Sequence, residues 1–436
     1  MGVEALKKTE NGTEHLVVIS YDAFSEDNWE AASRLPNLAE LINNGAYTTK
    51  LKSVYPTLTY VAHTTMVTGV NADKHGVLHN NPLQPFIPEE DQNWFWFRRD
   101  VKVPTIYDAA GKSGMKTAAI LWPVTGKAAI KYNIPEIKAV RKENQALKVL
   151  KNGSPLFTLG MEMRFGKYRK GTQQPYLDDF TSRCASDTIR RRKPGLLMLH
   201  FIELDDAKHR FGTDSPEVGQ AIMHMDRRIG EIMAAVREAG ILKDTTFIVL
   251  GDHGQINTVY LVRLNKLFKE EGLIEDKGGS FEWRAYLQSA GGSAYLHIRQ
   301  GDADAEKKAL AVLEKCKEDD RYGIERLYSG ADLRKQRIHP SVRYMLEAKA
   351  GYCFDDELEG PVIEAPDDHG QKRANHGYHP DKPDYRCALI VSGERIEKGP
   401  IPGEVDMTDI APTMARILRL PFDHTDGRPL EEIFRN

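Results

Sequence analysis

Acidic, imidazole and hydroxyl side chains gather in a few short segments of this 436-residue sequence. Asp22 follows the apolar run Leu16–Ser20, and Asp252 and His253 follow a second apolar run, Thr246–Gly251. Carboxylate and imidazole groups are the ligands by which proteins bind zinc and similar first-row metal ions. Each segment alone is also typical of a polar loop or a helix cap, so neither one establishes a metal site.

A third segment pairs a carboxylate with an imidazole at helical spacing. Asp205 and His209 lie four residues apart, shortly after the apolar run Gly195–Phe201. In a helix, residues at this spacing share a face, so the two side chains could hold one metal ion, although a surface interaction gives the same pattern. His376 is an isolated imidazole in a predicted loop, and the nearby His369 is a rival for its place.

A hydroxyl group is predicted at the start of a helix. A loop that contains Pro56 leads into a helix of small residues, roughly Tyr60 to Thr68, which places Thr59 near the helix N-terminus. Backbone N–H groups and the helix dipole favour an anion there, but an ordinary N-cap uses the same residue type. Thr59 is therefore a candidate for contact with an anionic group.

These segments lie where an α/β fold would bring them together. Apolar runs that are typical of buried strands alternate with predicted helices along the chain. The runs are Leu16–Ser20, Thr117–Trp122, Gly195–Phe201, Thr246–Gly251 and Cys387–Ser392. We expect a mostly parallel central sheet covered by helices on both faces. In such sheets, ligands bind beyond the carboxyl ends of the strands, where the candidate segments begin.

The central part of the chain has a different texture. It contains a strand-like segment, Ser293–Ile298, and a charged helix, Asp302–Asp319. We expect residues 1–254 and 376–436 to form a catalytic core, and residues 255–375 to form an inserted α+β subdomain. Such an insertion serves either as a cap over the substrate or as a surface for a partner.

Composition excludes several classes of protein. Hydrophobic residues make up 41% of the chain, which is enough for a large core. The net charge of −3 argues against a nucleic-acid coat or a polybasic membrane binder. No apolar run approaches the ~18 residues of a membrane span, and we see no secretory signal. The four separated cysteines form no Cys-x-x-Cys pair, so we expect a cytoplasmic protein, and the oligomeric state stays open.

The order of these segments resembles that of the alkaline phosphatase superfamily, in its nucleotide pyrophosphatase/phosphodiesterase branch. The resemblance covers nearly the whole chain, from Val17 to about Arg428. It includes the segments Met66–Asn81 and Gly114–Pro123, and the sequence VDMTDIAPTMARILRLP near the C-terminus. The fold that it implies is the same helix-covered, mostly parallel sheet.

The resemblance also implies two divalent metal ions, Zn²⁺ or alternatively Mn²⁺, and a role for each candidate residue. One ion would be held by Asp22, Thr59, Asp252 and His253. The other ion would be held by Asp205, His209 and His376. Thr59 would be the nucleophile and form a phosphothreonine intermediate, so that two in-line displacements retain the configuration at phosphorus.

Three positions, Ala62, His200 and Lys208, depart from the family pattern. Ala62 stands where the family usually has an Asn that holds a phosphate oxygen, so Asn80 or Asn81 would have to replace that amide. His200 stands where the family tends to have a Tyr. With Tyr60, it would form the substrate-binding pair that sandwiches a nucleobase, although an imidazole stacks less extensively.

These departures leave the substrate open. The leading hypothesis is a two-zinc phosphodiesterase or nucleotide pyrophosphatase acting on a small phosphate ester. A phosphomonoesterase or phosphonate hydrolase with the same site is the alternative. A metal-binding scaffold without catalysis is a third hypothesis, favoured by Ala62 and disfavoured by the presence of Thr59. Lys208 replaces a Gly of the pattern, either as a contact to an anionic substrate or as a solvated lysine.

Overall fold

The computed structural model describes residues 14–366 and 371–435. Its strands are β1 (His15–Tyr21), β2 (Gly45–Lys52), β3 (Thr117–Ile120), β4 (Tyr132–Ile134), β5 (Leu196–Phe201), β6 (Thr245–Gly251), β7 (Ile256–Asn257), β8 (Tyr260–Val262), β9 (Ile274–Asp276), β10 (Phe281–Trp283), β11 (Ala285–Ser289), β12 (Ser293–Ile298), β13 (Ile324–Ser329), β14 (Tyr344–Ala348), β15 (Tyr352–Phe354), β16 (Ile363–Glu364), β17 (Ala374–Asn375), β18 (Cys387–Ser392), β19 (Gly399–Pro400) and β20 (Val405–Asp406). Its helices are α1 (Trp29–Ser33), α2 (Pro36–Asn43), α3 (Thr59–Thr68), α4 (Ala72–His75), α5 (Ile106–Lys112), α6 (Gln145–Asn152), α7 (Pro155–Phe165), α8 (Tyr176–Arg192), α9 (Glu203–Phe211), α10 (Pro216–Glu238), α11 (Leu264–Glu270), α12 (Ala303–Glu318), α13 (Gly330–Lys335) and α14 (Ile410–Leu418).

A nine-stranded sheet forms the centre of the protein. Its order is β19-β2-β18-β6-β1-β5-β3-β4, with β20 also paired to β2. Strands β6, β1, β5, β3 and β4 are parallel to one another. All five predicted runs form strands of this sheet, which confirms the predicted mostly parallel α/β fold. The run Cys387–Ser392 is the exception in direction, because β18 is antiparallel to both β2 and β6.

Helices cover both faces of the sheet, as predicted. Along β1, Leu16 and Val18 pack in an apolar cluster with side chains of α3, α5 and α14. Val17 and Ile19 belong to a second cluster, with side chains of α2, α8 and α10. Successive side chains of a strand point to opposite faces, so a strand covered on both sides must be apolar throughout. This requirement explains why these strands are continuous apolar runs.

Helix α10 illustrates how the sequence specifies a covering helix. Ser215 caps its N-terminus, since the Ser215 hydroxyl oxygen accepts the Val218 N–H at 3.3 Å, and Pro216 follows as the first helical residue. Met225 and Ile229, four residues apart, pack against the sheet. Across residues 14–366 and 371–435, we find no helix whose length and apolar character would let it cross a membrane.

The region between Asp252 and His376 contains a separate antiparallel sheet of four strands, in the order β11-β12-β14-β13. Side chains of α11 and α12 share its apolar cluster. The predicted charged helix is α12, and the predicted strand Ser293–Ile298 is β12. A buried hydrogen bond of 2.9 Å from the Tyr55 hydroxyl to Glu347 Oε2 links this sheet to the loop before α3. The domain boundaries at 254 and 376 stay a prediction.

Candidate metal centre

The candidate residues converge at one edge of the central sheet. β1 lies between β5 and β6, and all three strands are parallel, so their carboxyl ends point the same way. Asp22 directly follows β1, and Asp252 directly follows β6. Asp205 and His209 lie on α9, which begins two residues after β5. The topology therefore gathers residues that are more than two hundred positions apart in the sequence.

Thr59 is the first residue of α3. Every side chain of this ten-residue helix is buried. Thr64 and Thr68 fit this environment because their hydroxyls donate to backbone carbonyls one turn earlier, those of Tyr60 at 2.6 Å and Thr64 at 2.7 Å. The Thr59 hydroxyl is instead directed to the site, where Oγ1 lies 3.2 Å from His253 Nε2.

One group of ligands surrounds Thr59. His253 Nε2 lies 3.2 Å from Asp22 Oδ1 and 3.3 Å from Asp252 Oδ2. Each carboxylate has one oxygen engaged by the protein: Asp22 Oδ2 lies 3.2 Å from His200 Nε2, and Asp252 Oδ1 accepts the N–H groups of Ala23 and His253 at 3.0 Å each. The other two oxygens, Asp22 Oδ1 and Asp252 Oδ2, are buried and form no hydrogen bond within the described residues.

A second group lies beside the first. Asp205 Oδ1 lies 3.4 Å from His209 Nε2, which confirms that the two residues share a face of α9. The Nδ1–H of His209 donates to the Ala374 carbonyl at 2.7 Å, and the Nδ1–H of His376 donates to the Thr57 carbonyl at 3.1 Å. Both hydrogen bonds leave Nε2 with its lone pair free. Asp205, His209 and His376 each offer a ligand atom within 4.8 Å of the others.

The two groups adjoin. Asp205 is also within 4.8 Å reach of Asp22 and His253, so it belongs to both sets of ligand atoms. The rings of His253 and His376 stack with their centroids 4.0 Å apart. The structure thus brings together all seven residues predicted as ligands, over a span compatible with two metal ions about 4 Å apart.

A glycine permits the close approach of the His376 loop. Gly377 has a φ of +87°, and a Cβ there would lie 1.6 Å from the Ala290 carbonyl oxygen. Gly377 N also donates to the Thr57 hydroxyl oxygen at 3.0 Å, and that hydroxyl donates to the Tyr378 carbonyl at 2.9 Å. Thr57 therefore joins the loop before the candidate nucleophile to the loop that carries His376.

The electrostatics of the centre favour a bound cation. Burial, together with Asp205 and Asp252, raises the pKa of Asp22 well above its usual range, and burial raises the pKa of Asp252 to about 7. Burial lowers the pKa values of His209 and His376 to about 3, so both imidazoles are neutral at pH 7. No Lys or Arg of the described residues forms an ion pair with any of the three aspartates. Neutral imidazoles, crowded carboxylates and two orphaned carboxylate oxygens fit first-row divalent ions.

The substrate-binding pair predicted from the resemblance lies deeper than expected. His200 is fully buried, with Nδ1 2.7 Å from Glu136 Oε2 and Nε2 facing Asp22. Tyr60 is also buried, and its hydroxyl donates to Glu136 Oε1 at 3.1 Å. Neither ring presents an open face to a base. We therefore interpret His200 as a group that positions Asp22, and a stacking role for the pair stays a prediction.

Sequence reasoning missed Glu136 and His63. Glu136 lies two residues after β4, so the same rule that singled out Asp22 could have found it, had the short strand β4 been recognised. His63 is fully buried beneath the site, and its Nδ1–H donates to the Thr59 carbonyl at 2.8 Å. Its spacing of four residues from Thr59 on α3 was the available signal.

Asn80 and Lys208 both have defined contacts within the protein. Asn80 Oδ1 accepts the N–H of Tyr60 at 2.9 Å, which holds this amide at the N-terminus of α3. Asn81 is engaged elsewhere, with Gln92. Lys208 is fully buried, and its Nζ lies 3.0 Å from Asp27 Oδ2. Lys208 is therefore neither solvated nor directed at the substrate, and both interpretations from the sequence were wrong.

Comparison with known proteins identifies the family of this chain. The sequence matches the type I phosphodiesterase/nucleotide pyrophosphatase family over residues 16–379. The chain belongs to this family, as the order of its motifs predicted.

Two relatives show the extent of the similarity. An uncharacterized pyrophosphatase/phosphodiesterase of Schizosaccharomyces pombe is 23% identical over 442 residues, which cover 94% of this chain and 78% of the relative. The venom phosphodiesterase of Naja atra is 25% identical over 246 residues, which cover 55% of this chain. The match spans only 26% of that venom enzyme.

Solved structures share the fold. Murine ectonucleotide pyrophosphatase/phosphodiesterase 5, as an inactive threonine-to-alanine variant in complex with AMP, superposes with a TM-score of 0.68 at 18% identity. The superposition covers 97% of this chain and all of the murine chain. The human counterpart gives the same TM-score at 17% identity. These similarities confirm the predicted alkaline phosphatase-like fold.

Proposed function

We propose that this chain is a two-metal phosphodiesterase that hydrolyses small phosphate or pyrophosphate esters through Thr59. The observation that carries the proposal is the position of the Thr59 hydroxyl at the N-terminus of α3, 3.2 Å from His253 Nε2 and next to the orphaned oxygens of Asp22 and Asp252. Among the described residues, the hydrogen-bond contact of the Thr59 hydroxyl is with His253, itself a candidate ligand. Phosphoryl transfer uses each of these features.

We assign the ligands to the two ions as the family resemblance implies. Asp22, Asp252, His253 and Thr59 would hold one ion, and His209, His376 and Asp205 would hold the other, with Zn²⁺ favoured by the three imidazoles. Bound ions would supply the positive charge that lowers the pKa of the Thr59 hydroxyl and offsets charge on the phosphate oxygens. His200, held by Glu136, engages Oδ2 of Asp22, so Oδ1 is the oxygen that would remain for an ion.

The reaction proceeds in two displacements. Thr59 Oγ1 forms a bond to phosphorus while the bond from phosphorus to the leaving oxygen breaks, and the hydroxyl proton reaches the leaving group through solvent. Water then attacks the phosphothreonine, releases the phosphate product and restores the Thr59 hydroxyl. Two inversions give net retention, which a chiral phosphorothioate diester would reveal.

Asn80 supplies the amide that Ala62 lacks. Its Oδ1 is fixed by the Tyr60 N–H, and within the described part of the chain its Nδ2 donates no hydrogen bond. An Nδ2–H group held beside Thr59 suits a non-bridging phosphate oxygen, and loss of one such donor costs on the order of 10²–10³ in rate. This assignment removes the main reason for considering a non-catalytic scaffold.

A phosphomonoesterase or phosphonate hydrolase with the same centre is the second candidate. It is favoured by the burial of Tyr60 and His200, which leaves no open aromatic pair for a nucleobase. Both candidates use Thr59 in the same way and differ only in the groups that surround the second ester oxygen. A cytoplasmic location also stays a prediction. The four cysteines are free and buried.

The test compares bis-(p-nitrophenyl) phosphate with p-nitrophenyl phosphate on protein reconstituted with Zn²⁺. We expect a higher kcat/KM for the diester, and a loss of about 10⁴-fold or more in Thr59→Ala. Thr59→Ser is the matched control, because it keeps a hydroxyl at the same position and should retain measurable turnover. Preference for the monoester would favour the second candidate, and full activity in Thr59→Ala would exclude both.

A further inference from the structure

Helices α6 and α7 carry an unusual concentration of exposed apolar side chains. Leu156 is 88% exposed, Met163 80%, Leu147 66% and Leu159 47%. Half of the large hydrophobic side chains that are more than a third exposed in the described residues lie between Leu147 and Tyr168. We call Leu147, Leu156, Leu159 and Met163 the α6–α7 surface. Such a concentration on a soluble fold marks an interaction site.

The exposure is not a consequence of a poorly packed helix. On α7, Phe157, Met161 and Phe165 pack against the apolar cluster beneath β1 and β5. Leu156, Leu159 and Met163 follow one another at intervals of three and four residues, so they form a second stripe that points away from the protein. Helix α7 is therefore apolar on two faces, and only one of them packs against other residues that the structure describes.

The chain around this surface is strongly basic. Residues 138–170 contain nine Lys or Arg and two Glu, although the whole chain has a net charge of −3. Three of these cations have a carboxylate partner: Lys148 with Glu143, Arg164 with Asp187, and Arg169 with Glu162. The others form no ion pair within the described residues, and they are Lys138, Arg141, Lys142, Lys151, Lys167 and Lys170.

We propose that the α6–α7 surface docks on an anionic lipid surface. Protruding leucine and methionine side chains, flanked by lysines whose stems can reach past them, match the chemistry of a headgroup layer above acyl chains. Each lysine or arginine near an anionic membrane contributes about 1 kcal/mol to binding. The net charge of the whole chain does not reveal this basic segment, because acidic residues elsewhere balance its excess of cations.

The charge pattern decides against a second copy of this chain as the occupant. A two-fold dimer through this surface would place one basic segment against another, and like charges across an interface oppose association. A lipid surface of opposite charge has no such conflict. The protruding shape of the leucines and Met163 also suits a deformable layer better than a preformed protein groove.

The basic segment is joined along the chain to residues that contact the metal centre. The basic segment begins two residues after Glu136, whose carboxylate contacts both His200 and Tyr60. Arg141 N also donates to Asp91 Oδ1 at 3.1 Å, which ties this segment to the loop after Asn80 and Asn81. The segment that leads to this surface therefore also holds contacts behind the metal centre.

The experiment is flotation of the full Zn²⁺-loaded chain with vesicles of phosphatidylcholine alone or mixed with phosphatidylserine. We expect binding to the mixed vesicles, weakened by salt. Leu156→Ser combined with Met163→Ser should weaken it by about tenfold or more. Lys151→Gln and Lys167→Gln should each weaken it by about fivefold. Met223→Ser is the matched control, because Met223 is an exposed methionine on α10, 55% exposed and outside the surface, and should change nothing.

Three results would overturn the proposal. The wild-type chain could fail to float with mixed vesicles, or the serine double variant could float as well as the wild type. Sedimentation could instead reveal a dimer that the double variant abolishes, which would make a second copy the occupant. All these variants alter exposed side chains away from the metal centre, so unchanged turnover of p-nitrophenyl esters would verify their folding.

Discussion

Two buried clusters of carboxylates lie beside helix α9, and their charges are compensated in different ways. Beneath its start, Asp178 and Glu203 surround Arg228, which is 1% exposed. Arg228 Nη1 lies 2.5 Å from Glu203 Oε2, and Arg228 Nη2 lies 2.8 Å from Asp179 Oδ1. The second cluster is the metal centre, where Asp22 and its neighbours have no guanidinium or ammonium partner among the described residues.

The difference separates structural carboxylates from ligands. Asp178 accepts the N–H groups of Ile202 and Glu203 as well as facing Arg228, so its oxygens are engaged within the protein. In the metal centre, one oxygen of Asp22 and one of Asp252 have no hydrogen-bond partner among the residues that the structure describes. An unpaired buried charge costs several kcal/mol, so such a cluster is stable in water only with an added cation or with added protons.

The largest expected effect follows from removing one ligand. Asp252→Asn should abolish turnover and lower the affinity for Zn²⁺ by more than about 100-fold. Residues that only support a ligand typically cost up to about 100-fold in metal affinity, and a ligand itself should cost more. Asp178→Asn is the matched control in the compensated cluster, where it should cost stability but leave bound zinc unchanged. Metal analysis after dialysis measures both. Equal zinc contents in the two variants would contradict the distinction between the clusters.

Removing Arg228 should lower the stability of the fold and leave zinc affinity unchanged, which is the opposite of the result expected for Asp252→Asn. Arg228→Met removes the cation beside the buried carboxylates Asp178 and Glu203, which should lower the free energy of unfolding by about 3–5 kcal/mol. Urea denaturation of the metal-free protein measures this loss. Zinc affinity of the folded variant should stay within twofold of the wild type, and a large fall in affinity would show that the clusters are coupled through α9.

A smaller effect is expected from the residues that orient a ligand. His200→Gln or Glu136→Gln should weaken zinc binding by about 10–100-fold, because Asp22 loses the contact that fixes Oδ2. Competition with a chelator measures the affinity without any assay of turnover. Glu143→Gln, an exposed glutamate on the same connection, provides the control. Unchanged affinity in both site variants would assign His200 to the substrate, as the sequence first indicated.

A further buried carboxylate, Glu347, should make the stability of the protein depend on pH. It has an internal cation, Lys382, 3.2 Å away, yet burial still raises the pKa of Glu347 to about 7. The folded protein therefore binds more protons than the unfolded chain between pH ~4.5 and ~7, and stability falls as pH rises through this window, by at most about 1.4 kcal/mol per pH unit. In Glu347→Gln, this part of the pH dependence should vanish. Denaturation at pH 5 and pH 7 tests it, and identical slopes for both proteins would contradict it.

The sequence was sufficient to predict the residues that follow strong strands. Asp22 and Asp252 come directly after continuous apolar runs, and Asp205 and His209 carry a helical spacing. These local signals, with the rule that ligands bind beyond the carboxyl ends of parallel strands, predicted one edge of the sheet, and the structure brings these side chains together there. The antiparallel direction of β18 was not predictable, because a strand buried on both faces is equally apolar in either direction.

The contacts behind the ligands were not predictable. Glu136 reaches His200 and Tyr60 from a loop after a strand of only three residues, and no periodicity marks such a strand. Lys208 has the sequence context of a surface lysine, but α9 places it beside Asp27, 181 positions earlier. These partners depend on tertiary packing, and no local pattern in the chain encodes them.

The most direct test of the account is the zinc stoichiometry of the reconstituted chain, measured by elemental analysis for the wild type, Asp252→Asn and His209→Ala. We predict two zinc ions per wild-type chain and a loss of tightly bound zinc in each variant, since the two residues belong to different groups of ligands. A wild-type chain that retains no zinc, or variants that retain as much as the wild type, would contradict the assignment of this buried cluster as a two-metal centre.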